Sequence, residues 1–244
     1  MKIAAISDIH GNLAALDAVF ADIEARDVDQ VVNLGDILSG GLFPYETAER
    51  LMALSLPTIR GNHERQVLTQ DLSRMGLSDQ HAAETISDAQ RAWLESLPET
   101  LQLNEDVLMV HGTPDSDLQY FLQTVTEAGL REATVDEITN RAGPVSSRLI
   151  LCGHTHLPGV TRLADGRLIV NAGSVGLPAY DDIHPYPHDI ETGSPHARYA
   201  IIEKNHDIWA AELIKVEYDW EQAAKDAEKN NRMDWARALR TGFV

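Results

Sequence analysis

Five short polar blocks, each directly behind an apolar run of strand length, constrain this chain more than any other feature of its sequence. They are Asp8-Ile9-His10-Gly11-Asn12, Gly35-Asp36, Gly61-Asn62-His63-Glu64, His111-Gly112 and Gly153-His154-Thr155-His156. The runs before them, Lys2–Ser7, Gln30–Leu34, Pro57–Ile59, Val107–Val110 and Arg148–Cys152, read as short strands. In an open α/β sheet the carboxyl ends of strands are where ligands converge, so blocks placed there can share one site. Side chains two apart on an extended segment point the same way, which pairs Asp8 with His10 and His154 with His156. The glycines alongside permit unusual φ or close backbone approach.

Between the blocks, Asn12–Arg26 carries Leu13, Leu16, Val19, Phe20 and Ile23 at helical spacing, and Tyr45–Leu54 also reads as helix. The first third therefore predicts strands joined by covering helices. From Glu64 to about Glu99 the composition is helical, with a break at Met75-Gly76, which predicts a helical insertion over the site at about 64–99. Leu101–Leu103 reads as strand and Thr124–Arg141 as mostly helix. Asp165-Gly166 between Val160–Leu163 and Arg167–Val170 signals a hairpin, and Arg198–Glu203 with Ile208–Ile214 predicts another. Gly173–His196, rich in Gly, Pro, Asp and His with neither period, predicts a long loop that selects substrates, its His184, His188 and His196 exposed. Trp220–Leu239 predicts a helical tail at about 219–240, with Trp220 and Trp235 as packing anchors. With no repeat or linker, residues 1–244 are expected to form a single domain.

The formal charge of −18, without a basic run, argues against long DNA or RNA as a partner. If the substrate is nevertheless a phosphate, something other than surface Lys and Arg must attract it, and that points inward to metal ions. The one cysteine, Cys152, permits no intramolecular disulfide and reads as a small core residue. The apolar start is too short for a signal peptide or a membrane span, so a cytoplasmic protein with no membrane partner is expected.

Asp8, His10, Asp36, Asn62, His111, His154 and His156 together offer carboxylates, imidazoles and an amide, a donor set for hard or borderline divalent ions with no thiolate. Two divalent ions would outweigh the two carboxylates and leave a positive site for phosphate and a bound hydroxide. Any one block recurs by chance, and a lone histidine is more often a surface or hydrogen-bonded core residue. The ordered set of five carries the reading.

In this order, spread from position 8 to 156, the blocks resemble those of calcineurin-like metallophosphoesterases. The resemblance implies an α/β fold, an αββα sandwich of two mixed sheets with flanking helices, and a metal-dependent phosphoric ester hydrolase with a dinuclear centre. It implies that one metal takes Asp8, His10 and His156, that the other takes Asn62, His111 and His154, and that Asp36 bridges them. A hydroxide between the ions would attack phosphorus in line. His63 would bind no metal; it would protonate the leaving oxygen or stabilise its charge. Mixed nitrogen and oxygen ligands suit Mn, Fe, Zn or Co.

Phosphoprotein phosphatases of the superfamily extend the Gly-Asp block with a nearby Asp-Arg-Gly, whereas Ile37-Leu38-Ser39-Gly40-Gly41 follows here without that arginine. Arg60 matches an arginine of the related phosphatase block and reads either as a substrate contact or as an ordinary strand-end charge. Asn171-Ala172-Gly173-Ser174-Val175-Gly176-Leu177-Pro178 resembles a stretch of small bacterial phosphodiesterases of the superfamily, though its glycines could serve only to turn the chain. The expected substrate is a small phosphodiester, a nucleotide or a dinucleoside polyphosphate. The alternatives are a phosphoserine/threonine protein phosphatase, weakened by the missing Asp-Arg-Gly, and a non-catalytic scaffold, weakened by the presence of every candidate ligand and His63.

Overall fold

Strands whose side chains are buried on both faces decide the architecture, and β1 (Lys2–Ile6) shows how. In the computed structural model, which describes residues 1–244, Ile3 and Ala5 join one apolar cluster while Ala4 and Ile6 join another. Then come α1 (Leu13–Glu24), β2 (Gln30–Asn33), α2 (Pro44–Met52), α3 (Asn62–Thr69), α4 (Leu77–Thr85) and α5 (Asp88–Ser96). The middle of the chain holds β3 (Leu101–Asn104), β4 (Val107–Met109), β5 (Gln123–Thr126), β6 (Gly129–Glu132), α6 (Val135–Ala142) and β7 (Leu149–Cys152). It ends with β8 (Gly159–Arg162), β9 (Leu168–Asn171), β10 (Ala179–Asp182), β11 (His188–Glu191), β12 (Ala197–Asn205), β13 (Ile208–Val216), α7 (Trp220–Lys229) and α8 (Met233–Thr241).

Two mixed sheets form, in the orders β13-β12-β1-β2 and β3-β4-β7-β9-β8. β1 is parallel to β2 and antiparallel to β12, while β4, β7 and β9 run parallel. Ile3, Ala5 and Val32 of the first sheet, with Leu34 just beyond β2, share a cluster with Met109, Leu149, Leu151 and Val170 of the second, so the sheets stack face to face. The outer faces are covered in turn: Ala4 and Ile6 by Leu16, Val19 and Phe20 of α1, Ile150 and Cys152 by Ile138 and Ala142 of α6. Each large apolar side chain so buried contributes about 1.5–3 kcal/mol. The result is an αββα sandwich. None of its helices is long and apolar enough to cross a membrane.

Residues 62–96 hold α3, a 3-10 turn at Leu72–Arg74, α4 and α5, with Gly76 just ahead of α4. Trp235 is buried beside Leu42 and Leu177, and Trp220 packs half-buried against Tyr218 and His196.

Four expectations are corrected. Residues 124–141 are not mostly helix: β5 and β6 form a hairpin before α6, because Thr124, Val125 and Thr126 are β-branched and Gly129, at φ +100°, opens the return strand. Gly173–His196 is not a loop throughout, since β10 and β11 pair as a hairpin whose Ala179 and Ile190 are buried. Strands of four residues around an exposed tip leave no readable period. Within it His184 is exposed and His196 half-buried, but His188 is buried, its Nε2 3.0 Å from the Tyr120 hydroxyl. Pro57–Ile59 pairs only through a bridge between Asn33 and Thr58.

Candidate metal centre

The backbone of the site is strained where its side chains converge. Asp8, His10, Asp36, His154 and His156 all have φ between 52° and 69°, five of the nine non-glycine residues with positive φ. An L residue in this region costs on the order of 1 kcal/mol or more, so the surroundings must hold it there. They do so through backbone bonds between the polar blocks: Asp8 N–H to Gly35 O at 2.9 Å, His10 N–H to Asp36 O at 3.0 Å, and Gly153 N–H to His111 O at 2.9 Å. The His154 N–H donates to the Asp8 carboxylate at 3.1 Å, and Gly176 N–H and Ser174 Oγ both donate to Asp8 O. The Asn171–Pro178 stretch thus braces the first block. Gly61 is required where it stands, because a Cβ there would collide with the Asp36 carboxylate and lie 2.7 Å from His111 Cε1.

A buried carboxylate whose role the sequence reading missed ties two blocks together. Glu64 accepts N–H bonds from Asp36 at 2.8 Å, Ile37 at 2.7 Å and Gly61 at 2.8 Å. Its position three residues after Gly61, at the start of α3, is the available sequence signal, since an acid there commonly caps a helix.

Hydrogen bonds settle which ring nitrogens face inward. A carbonyl oxygen only accepts, so His10 Nδ1 against Ser39 O (2.6 Å), His111 Nδ1 against Leu34 O (2.8 Å) and His156 Nδ1 against Leu177 O (2.7 Å) must each carry the proton. Each Nε2 then points into the site, where its lone pair is available once any proton on it is displaced. His154 is reversed: its Nε2 faces Leu118 O at 3.1 Å, which leaves Nδ1 for the site.

Two groups of possible ligands result, Asp8 with His10 and His156, and Asp36 with His111 and His154. In the first, His10 Nε2 and His156 Nε2 lie 3.0 Å apart, and Asp8 Oδ1 is 3.5 Å from His156 Nε2. Two lone pairs and a carboxylate facing one another at such range repel unless a cation or proton sits among them. In the second, His111 Nε2 is 3.1 Å from both Asp36 Oδ2 and Asn62 Oδ1, so a cation or a proton is needed there as well. The donor set therefore fits two divalent ions, with Asn62 adjoining the second group.

The titration behaviour agrees. Burial, reinforced by neighbouring imidazoles, lowers His10 to about 3 and His154 to about 4, so both stay neutral. Burial acts against the charged form of His111 as well, but the Asp36 carboxylate outweighs it and raises His111 to about 10. Asp8 and Asp36 are held below the usual carboxylate range against burial, by His156 and His111 respectively. A metal ion entering at His111 would displace the proton that Asp36 now stabilises there.

His63 stands beside these groups without joining them. Its N–H donates to Asp36 Oδ1 at 3.0 Å, while its ring Nε2 is 4.0 Å from Asp36 Oδ2. Its Nδ1 is 2.7 Å from Asp79 Oδ1, an oxygen that also receives the Ser39 hydroxyl at 2.5 Å. Burial opposes protonation, but Asp36 and the Asp79 bond prevail and raise His63 to about 9. Asp79 comes from α4, inside the helical segment, and no local motif marks it.

These groups floor a cleft of about 1000 Å³. Its walls include Gln66 and Ser78 from the helical segment, Leu118–Tyr120 and Gln123–Val125, Tyr180 of β10, and Trp235 of α8. Tyr120 lies edge-on to His154 at 5.1 Å and Tyr180 to His156 at 4.7 Å, their hydroxyls 2.9 Å apart. Arg60 is not brought to this cleft; its Nη2 pairs with Glu99 at 2.7 Å.

A family model for the calcineurin-like phosphoesterase superfamily domain matches residues 1–193. An uncharacterized protein of Methanocaldococcus jannaschii is 29% identical over 258 residues, covering 96% of this chain and 94% of that protein. The crystal structure of a metallophosphoesterase from Sphaerobacter thermophilus aligns with a TM-score of 0.75 at 24% identity, over 98% of both chains. That of a candidate diadenosine tetraphosphatase aligns with a TM-score of 0.53 at 17% identity, over 88% of this chain and 94% of that one.

Proposed function

The chain belongs to the calcineurin-like phosphoesterase superfamily, and from that premise we propose that it hydrolyses a small phosphodiester, a nucleotide or a dinucleoside polyphosphate. The observation that carries this reading is the convergence of the His10, His156 and His111 Nε2 atoms on two buried carboxylates, in clusters that only a cation or a proton can hold together, beside a histidine that keeps its proton. Asp8, His10 and His156 would hold one divalent ion, Asn62, His111 and His154 a second, with Asp36 between them; Mn, Fe, Zn or Co each suit these donors. When bound, the ions supply Lewis acidity toward the phosphoryl oxygens and lower the pKa of an attacking water.

The chain's own residues do the rest. The carbonyls of Ser39, Leu34, Leu177 and Leu118 hold the imidazoles in their tautomers, and Glu64 holds the Gly35-Asp36 and Gly61-Asn62 turns against each other. Asp79 orients His63 through Nδ1, which leaves Nε2–H to protonate the departing oxygen. A small ester suits a cleft walled by Tyr120, Tyr180 and Trp235, and the net charge of −18 disfavours polynucleotides.

Elemental analysis and an ester panel test the proposal. The active protein should carry two ions per chain and turn over bis(4-nitrophenyl) phosphate and small nucleotide esters faster than a phosphopeptide. One ion per chain at full activity would overturn the dinuclear arrangement, and a phosphopeptide preference would make the protein a phosphoprotein phosphatase instead.

A further inference from the structure

One wall of the cleft ends in a cation that the protein leaves uncommitted. The segment Leu118–Val125 starts at the metal centre, where Leu118 O meets His154 Nε2 and Tyr120 lies edge-on to His154. It ends at Arg141, in the last turn of α6, whose Nη1 donates to Phe121 O at 2.9 Å and Gln123 O at 2.8 Å, and whose Nη2 donates to Thr124 Oγ1 at 2.7 Å. Those three bonds fix the guanidinium plane. Nε–H and one Nη2 hydrogen have no protein partner, and no carboxylate lies within ion-pairing distance.

Other arginines of the chain also lack a carboxylate, and Arg237 lines the same cleft, but Arg237 makes no side-chain hydrogen bond that would fix its guanidinium plane. Arg26, Arg65 and Arg232 each pair with an aspartate at 2.6 Å. Arg198 also lacks a carboxylate, but it is fully buried outside the cleft and its guanidinium is occupied by the carbonyls of Thr192, Ser194 and His196. Arg141 lines the same cleft as His10, His63 and His154. A half-buried guanidinium with a fixed plane and free donors is prearranged for an oxyanion. Asp181 and Asp182 also line the cleft, on β10, and disfavour an anion along that wall.

Resting on the phosphoesterase reading, we propose that Arg141 is a second anion subsite, so that the preferred substrate carries another phosphate apart from the one being cut. Tyr120, beside the metal centre, and Thr124, bonded to Arg141, are four residues apart, so their backbones lie within about 14 Å of each other. That separation suits a bisphosphorylated sugar or a short polyphosphate. A cleft of about 1000 Å³ is at the upper end for small-molecule sites and has room for both groups.

Alkylphosphonates test the subsite without turnover, because their C–P bonds are not phosphate esters. Calorimetry on the metal-loaded full chain should show hexane-1,6-bisphosphonate binding about 10- to 100-fold more tightly than hexylphosphonate, the scale of a hydrogen-bonded charge pair. Arg141→Gln should reduce that advantage to less than about threefold, and Arg141→Lys, which keeps the charge but not the fork, should retain part of it. An undiminished advantage in Arg141→Gln, or none in the parent protein, would overturn the subsite. So would an equal loss for both phosphonates, which would mean that Arg141 only holds the β5–β6 wall. If no phosphate ester is turned over while the Arg141-dependent advantage persists, the hydrolytic reading fails and the subsite stands.

Discussion

The floor of the cleft is built from residues whose backbones are pinned, whereas its walls are side chains carried in by the surrounding helices, hairpins and connections. Asp8, His10, Asp36, His154 and His156 occupy left-handed conformations at the ends of buried strands, and their blocks bond to one another through the main chain. On the walls, Ser78 arrives on α4 with the buried Asp79 behind His63, Tyr120 on the connection before β5, Tyr180 on β10 and Arg141 on α6. A floor fixed by packed sheets tolerates little displacement, so it suits metal coordination, where errors of a few tenths of an ångström matter. Walls held by side-chain bonds can differ between relatives without disturbing that geometry, so they suit selection of the substrate.

The largest effect should come from the floor. Asp36→Asn removes the carboxylate shared by the second ligand group and by the His63 N–H, so metal content should fall below two per chain and activity to background on every ester. Unchanged metal content in this variant would break the idea that Asp36 joins the two ions.

The next effect belongs to the boundary between floor and wall. His63→Ala should keep both metals and lose about 10²–10⁴-fold on alkyl or nucleoside esters, but much less on nitrophenyl esters, whose leaving group needs little protonation. Equal losses on good and poor leaving groups would assign His63 to charge stabilisation instead. Asp79→Asn should act more mildly, about 10-fold, and with a direction in pH. Asp36 and Asp79 both raise the His63 pKa, and the protonated ring is the acid, so turnover of poor leaving groups should fall as pH rises through that pKa. Removing the Asp79 charge lowers the pKa and moves this alkaline limb to lower pH. A pH–rate profile with an unmoved limb would separate Asp79 from the proton transfer.

Tyr120→Phe should give the smallest effect. It removes hydroxyl contacts to Tyr180 at 2.9 Å and His188 at 3.0 Å while keeping the ring against His154. Thermal unfolding should register a loss of about 0.5–1.5 kcal/mol with metal content unchanged. Loss of a metal ion would show that this wall holds the floor in place, and the distinction between the two regions would narrow.

What could be read from the chain alone follows from range. The metal-facing residues sit beside strand ends in short blocks, so local pattern places Asp8, His10, Asp36, Asn62, His111, His154 and His156 near one another before any coordinates exist. The α/β character and the hairpins β8–β9 and β12–β13 are equally local, set by alternation and turn residues. The stacking of two sheets is not, because a strand buried on both faces reads as the same apolar run whether a helix or another sheet covers it. The β5–β6 and β10–β11 hairpins escaped for a related reason, their four-residue strands being too short to carry a period. The partners of the functional groups lay further out of reach. Asp79 meets His63 across 16 residues, His188 meets Tyr120 across 68, and His154 reaches Leu118 across 36. A side-chain hydrogen bond leaves no trace in the sequence near either partner, so tertiary structure alone decided which acid orients His63, which nitrogen each imidazole offers, and which arginine is held by the cleft wall with donors to spare.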